Sequence, residues 1–160
     1  EVHAVTNDWV QEIDPQDIIQ SRKLLEPEMA RFAALNMDET EKQRLREVMD
    51  RFRAEAESGV YSESTDRDFH LCIARGCKNH LYLVICDMIW KAMKQDMWNL
   101  ILSRTVIARQ SRRQHFEEHM RVAEAILDGD AQRAENAMRL HMEDLEHRYW
   151  AELNEEEAKT

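Results

Sequence analysis

Asp66 and His70 are the first two side chains in this sequence whose types and spacing could hold a metal ion. They are four residues apart, so on a helix, at about 100° per residue, both project from one face and lie one turn apart. A carboxylate and an imidazole in that arrangement can chelate a divalent cation. The pair therefore predicts half of a metal site, provided that a helix forms there.

Two further histidines, His119 and His141, are predicted on otherwise apolar helical faces. Their neighbours on those faces are Val122, Ala123 and Ile126 for the first, and Ala134, Ala137, Met138 and Leu145 for the second. Burying several imidazoles together is unfavourable unless a partner uses their lone pairs, which a divalent metal would do with Asp66 as the anionic ligand. The alternative stays open, because the sequence does not show that the helices meet: each histidine could instead be hydrogen-bonded in the core.

Other histidines fit this site less well. His115 precedes His119 by four residues, but it lies about 40° off the apolar stripe and among charged neighbours, so we expect it on a solvated face. His147 follows His141 by six residues, which places it about 240° around the helix. His147 therefore cannot share the site of His141.

Motifs of common enzymes are absent from the sequence. It has no Gly-x-Ser-x-Gly elbow, no glycine-rich phosphate loop and no His-Glu-x-x-His. No glutamate stands three residues before His70, His119 or His141, as a ferritin-like di-metal site requires. A one-metal hydrolase stays an alternative with Glu118 as its general base, although Glu118 points about 100° away from its helix neighbour His119.

The helices that must position these residues can be recognised from caps and apolar periodicity. Asp14-Pro15 predicts the start of a first helix that runs from about Pro15 to Leu35. Asn36-Met37-Asp38 predicts a stop and a new cap, followed by a second helix that ends at Gly59. The first two helices thus form a hairpin.

Four more helices are predicted downstream. The third is capped by Ser62 or Ser64 and closed by Gly76; the fourth runs from a cap at Asn79 to about Ser103; the fifth runs from about Ala108 to Leu127; and Asp130 caps a sixth that continues toward the C-terminus. The fourth helix is apolar on more than one side, which suits a central or dimer-facing position.

The composition favours one all-α domain over residues 1–160, with a core from about 15 to 153. The chain has 160 residues but only three glycines and two prolines, which leaves little material for hairpins. Its formal net charge of -10 would repel phosphate backbones, so we do not expect this segment to bind DNA by itself.

Membrane and disulfide chemistry are not indicated. No stretch approaches the roughly 18 apolar residues of a membrane span, and Glu-Val-His-Ala does not begin a signal peptide. The cysteines Cys72, Cys77 and Cys86 are odd in number and lack Cys-x-x-Cys spacing. We therefore expect small core residues in a reducing, cytoplasmic setting.

Several short motifs follow one another in a fixed order along the chain. They are Ser21-Arg22-Lys23-Leu24-Leu25-Glu26-Pro27, Asp66-Arg67-Asp68-Phe69-His70, Cys77-Lys78-Asn79-His80-Leu81, Glu118-His119, Ala125-Ile126, Gly129-Asp130, and Ala137-Met138 with His141. The second has the pattern Asp-x-x-Phe-His. The ordered set resembles the FadR C-terminal-type (FCD) effector-binding domain of GntR-family transcription regulators, over about Ile18 to Tyr149.

This resemblance implies an antiparallel bundle of six to seven helices with a divalent metal held by Asp66, His70, His119 and His141. Zinc or nickel is the expected ion, with manganese or iron as alternatives. The resemblance also implies a small organic acid that completes the coordination, and cytoplasmic homodimers whose operator binding this effector controls. On this interpretation the protein is not an enzyme.

Arg22 and Asn79 are the candidate effector-binding residues. Arg22 matches an arginine that can face the pocket in such domains, where a guanidinium suits a carboxylate. The alternative for Arg22 is a surface pair with Glu26 at four-residue spacing. Asn79 is likewise open between a pocket residue and a helix cap.

The winged helix-turn-helix domain that precedes such effector domains has no counterpart ahead of Glu1. We expect an excised effector domain, the alternative being a free-standing metal and acid sensor without direct DNA contact. Two other functions stay open from the sequence. One is a metal-dependent enzyme acting on a small organic acid, and the other is a dimerising helical module that binds no metal.

Overall fold

A computed structural model describes residues 13–60, 62–93 and 109–157 of the chain. These residues form six α-helices and no strands. The helices are α1 (Pro15–Asn36), α2 (Glu39–Ser58), α3 (Glu63–Gly76), α4 (His80–Ala92), α5 (Arg109–Leu127) and α6 (Ala131–Glu157). The predicted all-α antiparallel bundle is confirmed.

The first two helices begin and end where their caps predict. Asp14 accepts a hydrogen bond through Oδ1 from the backbone N–H two residues later, at 2.8 Å, and Pro15 is the first helical residue. Asp38 and Glu41 form a reciprocal capping box at the start of α2. Gly59 ends α2 in the left-handed conformation, with φ 74°, which glycine adopts without steric cost.

The third and fourth helices follow their predicted starts. Ser62 is the cap residue of α3, although its side chain makes no capping hydrogen bond, and α3 ends at Gly76. Asn79 caps α4, because its Oδ1 accepts from the backbone N–H of Leu81 at 3.0 Å. The predicted continuation of this helix to about Ser103 lies outside the described residues.

The last two helices also match the predicted positions. α5 is described from Arg109 and ends at Leu127, and Asp130 caps α6 by accepting from the backbone N–H of Arg133 at 3.1 Å. Gly129, with φ 72°, makes the tight turn between them. None of the described helices is long and apolar enough to cross a membrane.

Helix α1 packs against the three helices that carry the candidate site residues. It makes its most extensive contact with α6, and it also contacts α3 and α5. Its inner surface carries small, buried side chains, Ala30, Ala33 and Ala34, which allow close approach. This packing brings α3, α5 and α6 together although they are far apart in the sequence.

Candidate metal centre

The four predicted ligands come from three helices and lie together in the interior. Asp66 and His70 are one turn apart on α3, His119 is on α5 and His141 is on α6. All four are buried, and His119 has no exposed surface. One ligand atom from each of His70, His119 and His141 lies within 4.8 Å of the others.

Asp66 is the anionic member of the cluster. Its Oδ1 lies 3.1 Å from Nε2 of His119 and 3.3 Å from Nε2 of His70. Ligands bound to one ion at about 2.1 Å are about 3.0 Å apart at right angles and about 3.4 Å apart at tetrahedral angles. Both measured separations fall within this range, so these three atoms are spaced as ligands of one ion would be.

The other ring nitrogen of each of the three histidines lies close to an oxygen. Nδ1 of His70 lies 2.6 Å from Oε2 of Glu26, and Nδ1 of His141 lies 2.9 Å from Oε2 of Glu118. Nδ1 of His119 lies 2.7 Å from the backbone carbonyl oxygen of His115. Since those oxygens only accept, Nδ1 of His119 and Nδ1 of His141 each donate a hydrogen, and each of these two neutral rings keeps its lone pair on Nε2. This is the arrangement in which metal-binding histidines are usually fixed. Nδ1 of His70 is close to Glu26 but does not have the geometry of a hydrogen bond.

The histidines of the cluster differ in charge. Although burial opposes it, Glu26 and Asp66 raise the pKa of His70, whereas the pKa values of the other two histidines are lowered. Burial, together with the nearby His115 and His141, holds the pKa of His119 well below its usual value. Burial also lowers the pKa of His141 to about 4. Although burial opposes it, contact with the surrounding histidines lowers the pKa of Asp66, so its carboxylate is ionised. At neutral pH, the lone pair of His119 Nε2 therefore faces an anionic oxygen with no proton between them. A divalent ion would resolve that repulsion, and we conclude that the residues present fit one.

Arg22 and Glu26 form a buried pair beside His70. Arg22 Nε lies 2.5 Å from Glu26 Oε1, and Arg22 Nη2 lies 3.3 Å from His70 Nε2. The pair with Glu26 that the sequence suggested therefore exists, but both residues are buried instead of lying on the surface. Burial raises the pKa of Glu26, but Arg22 and His70 outweigh it, so the net pKa is lowered. Sequence reasoning did not identify Glu26 as the partner of His70.

Trp90 of α4 covers this corner of the site. Its ring lies 5.5 Å from the ring of His70, and the guanidinium carbon of Arg22 lies 5.2 Å from the Trp90 ring centroid. Trp90 is fully buried, yet its Nε1–H has no hydrogen-bond partner in the part of the chain that the structure describes. A buried donor without an acceptor is uncommon, and here it lies close to the candidate ligands.

The prediction that His115 lies on a solvated face is wrong. His115 is buried, with 8% of its surface exposed, and its Nε2 lies 3.4 Å from Oδ2 of Asp66. The physical reason is that the buried face of α5 is wider than the single stripe assumed, because α2 packs against it. The ring of His115 accordingly packs edge-on against Phe52 of α2 at 6.0 Å.

Glu118 and Asn79 have structural roles that the sequence left open. Both oxygens of Glu118 accept hydrogen bonds, from Nδ1 of His141 at 2.9 Å and from the guanidinium of Arg148 at 2.9 and 3.0 Å. Asn79 is exposed and caps α4. The cap is therefore the role the structure gives Asn79, and its effector-binding role stays a prediction.

Comparison with known proteins places the chain among transcription regulators. The FCD domain family matches residues 17–144. The Uxu operon regulator of Haemophilus influenzae is 27% identical over 135 residues, which are 84% of this chain and 50% of that protein. The HTH-type transcriptional regulator LutR of Bacillus subtilis is 27% identical over 139 residues, which are 83% of this chain and 61% of that protein. The chain thus spans half to three fifths of these relatives.

Solved structures share the fold at low sequence identity. Streptococcus agalactiae GntR matches with a TM-score of 0.67 and 19% identity, over 89% of this chain and 60% of that one. Escherichia coli McbR/YncC matches with a TM-score of 0.71 and 17% identity, over 86% of this chain and 65% of that one. Since the family match covers most of the chain, this protein belongs to the FCD domain family of GntR-type regulators.

Proposed function

We propose that this chain is the ligand-sensing domain of a GntR-type transcription regulator, and that it binds a divalent metal and a small organic acid. Asp66, His70, His119 and His141 hold the metal. The observation that carries the proposal is the convergence of His70, His119 and His141, whose ligand atoms lie within 4.8 Å of one another, with Asp66 Oδ1 3.3 Å from Nε2 of His70 and 3.1 Å from Nε2 of His119. Zinc or nickel suits three imidazoles and one carboxylate, and manganese or iron is also compatible.

The polar groups beside His70 support an organic acid as the effector. A bound ion supplies a fixed positive charge that attracts a carboxylate oxygen. Among the described residues, Arg22 Nη1 donates to the weak acceptor Met93 Sδ at 3.5 Å, and Trp90 Nε1–H has no acceptor. A carboxylate would satisfy such donors far better than a thioether does. Arg22 is the residue we assign to the acid.

The regulatory output needs parts beyond this chain. With a formal net charge of -10, the chain itself is a poor ligand for DNA. Operator binding therefore belongs to a separate DNA-binding domain, in keeping with the longer relative LutR, which is named an HTH-type transcriptional regulator. Metal and effector join α3, α5 and α6, so their binding changes helix packing and, in a dimer, the spacing of two DNA-binding domains. Such a regulator acts in the cytoplasm.

A homodimer is part of the proposal. Leu81, Val84 and Met88 on α4 and Leu24 on α1 are exposed large apolar residues, with Leu24 76% exposed. Met88 also lines an apolar groove of about 240 Å³ between α1 and α4, together with residues such as Leu25. Exposed apolar surface of this kind is typical of protein interfaces, and a second copy placed there gives an isologous dimer.

Elemental analysis of protein purified without added metal or chelator tests the metal site. Wild-type protein should carry a divalent ion, and His141→Ala should lose it while helical circular dichroism stays near wild type. His147→Ala, which removes an exposed histidine from the same helix, is the matched control and should keep the metal. Full occupancy in His141→Ala would refute the site.

Calorimetric titration with small mono-, hydroxy- and dicarboxylic acids tests the effector. Binding should require both the metal and Arg22, so chelator-treated protein and Arg22→Met should each lose it. Product analysis after incubation with the same acids distinguishes a sensor from an enzyme. Metal-dependent turnover would replace the sensing function with a catalytic one.

A further inference from the structure

His115 belongs to a second group of potential ligands that shares two residues with the first. Ligand atoms of Asp66, His115 and His119 lie within 4.8 Å of one another, and all three residues are buried. His115 lies one helical turn before His119 on α5, so both rings reach the same part of the interior. Their ring centroids are 4.2 Å apart.

The carboxylate of Asp66 divides its two oxygens between the histidines. Oδ1 faces Nε2 of both His70 and His119, whereas Oδ2 faces Nε2 of His115 at 3.4 Å. That distance lies at the upper end of the separation of about 3.0 to 3.4 Å expected between ligands of one ion. His115 is therefore nearly as close to the carboxylate of Asp66 as His70 and His119 are, although it faces the other oxygen.

Two simpler roles for His115 do not need its ring nitrogens. The ring packs edge-on against Phe52, as a phenylalanine at this position could also do. The backbone carbonyl of His115 accepts from Nδ1 of His119, and any residue at position 115 would supply that carbonyl. A third role, a hydrogen bond from His115 Nε2 to Asp66, would use the ring without a metal, and metal binding by variants of His115 distinguishes it from a ligand.

We propose that His115 is a fifth protein ligand, through Nε2, of the ion that the proposed function places at this cluster. The inference rests on that function and goes beyond it, since the four-ligand set omits His115. With five protein ligands, a four-coordinate ion could not use them all, and a six-coordinate ion keeps one position for the effector. The site would then favour ions that accept five or six ligands, and the effector would bind through a single oxygen.

Cobalt(II) is a suitable probe, because its visible absorption changes with coordination number. The variants are His115→Ala, His115→Phe and His141→Ala, with His147→Ala as the control that removes an exposed histidine. Each is titrated with cobalt(II) against a competing chelator, and its absorption spectrum is recorded. His115→Ala and His115→Phe retain the backbone carbonyl that holds His119, so any loss belongs to the ring.

Both His115 variants should bind cobalt at least about tenfold more weakly than wild type, by comparison with the 10- to 100-fold cost of losing a residue that only supports a ligand. Their spectra should change in the direction of a lower coordination number, and His147→Ala should match wild type. Wild-type affinity and spectrum in both variants would show that His115 is not a ligand. If His115→Phe alone has the cobalt affinity and spectrum of the wild type, the ring of His115 has a packing role, and the proposal is overturned.

The two proposals fail in different ways. If His141→Ala loses the metal while both His115 variants behave as wild type, the metal site stands and only the fifth ligand is refuted. If wild-type protein itself binds no cobalt, zinc or nickel, then His141→Ala cannot differ from it, and both proposals are refuted.

Discussion

The interior cluster and the outer face of α1 and α4 depart from ordinary protein architecture in opposite ways. At the cluster, four histidines and three carboxylates are buried at the junction of α1, α3, α5 and α6. On the outer face, Leu24, Leu81 and Met88 are exposed around an apolar groove. One region buries polar groups, and the other exposes apolar ones.

Each departure indicates what would complete the region. Buried imidazoles and carboxylates are costly unless something pairs with them, so the cluster calls for a cation. Exposed apolar side chains that adjoin one another are costly in water, so the outer face calls for an apolar partner surface. The cluster is held by directed contacts such as that of Glu118 with His141, whereas the groove is lined mostly by apolar residues. We therefore expect the first region to select its partner by geometry and the second by area.

Removing the metal should have the largest effect, because it leaves the cluster with its internal repulsions. A ligand present at about 1,000 times its Kd stabilises a fold by about 4 kcal/mol, which corresponds to about 10 °C in Tm for a domain of this size. Chelator should lower the Tm of wild-type protein by that amount, measured by circular dichroism. His141→Ala should show almost no response to chelator. If the Tm of the wild type does not change although the metal has been removed, the metal does not stabilise the cluster, and the contrast between the two regions is wrong.

Charging the outer face should dissociate the dimer and leave the cluster intact. Met88→Glu and Leu81→Glu should each weaken dimer association about 30-fold. This is the effect expected when a substitution at an interface costs about 2 kcal/mol of binding free energy. Light scattering at micromolar concentration would then show the 19.0 kDa monomer, with unchanged metal content. Leu140→Glu, at an exposed leucine on α6, is the control and should stay dimeric.

Glu118→Gln tests how strongly the support of His141 contributes to the cluster. The amide can still accept from Nδ1 of His141, but it loses the negative charge, so metal affinity should fall by about tenfold, less than in His141→Ala. Competition with a chelator gives the affinity. A loss as large as that of His141→Ala would mean that Glu118 does more than support the ring.

The smallest expected effect is on the cysteines, which belong to neither region. Burial raises the pKa of Cys72 to about 11 and that of Cys77 to about 12, above the value of about 8.5 for an unfolded thiol. Both thiols should therefore resist iodoacetamide at pH 8 until the protein unfolds, which mass spectrometry would detect. Because the folded state favours the neutral thiols, these two cysteines contribute their full stabilisation below about pH 8.5. That stabilisation is lost as the pH rises through the pKa values of the folded protein. Rapid labelling of the native protein would show that the interior opens easily.

The helices were predictable because their ends carry local signals. Asp14-Pro15, Asp38 and Gly59 act through hydrogen bonds and backbone angles within one turn, so a single sequence contains the information. The same holds for the pairing of Asp66 with His70, which depends only on helical spacing.

The support of the histidines could not be predicted in the same way. Whether Glu118 reaches His141 depends on how α5 packs against α6, and whether His115 is buried depends on the contact of α5 with α2. Such contacts join residues with no fixed sequence separation. The one available signal was the four-residue spacing of His115 and His119, which places their side chains only about 40° apart.

The position of His141 on α6 also sets the order in which the cluster can form. A growing chain emerges from its N-terminus, so Asp66 and His70 are synthesised first and His141 arrives about 70 residues later. Before α6 packs, the cluster lacks one imidazole, and the carboxylate of Glu118 lacks the ring it holds. A chain that stops before α6 would therefore carry Asp66, His70 and His119 but lack the imidazole that completes the cluster.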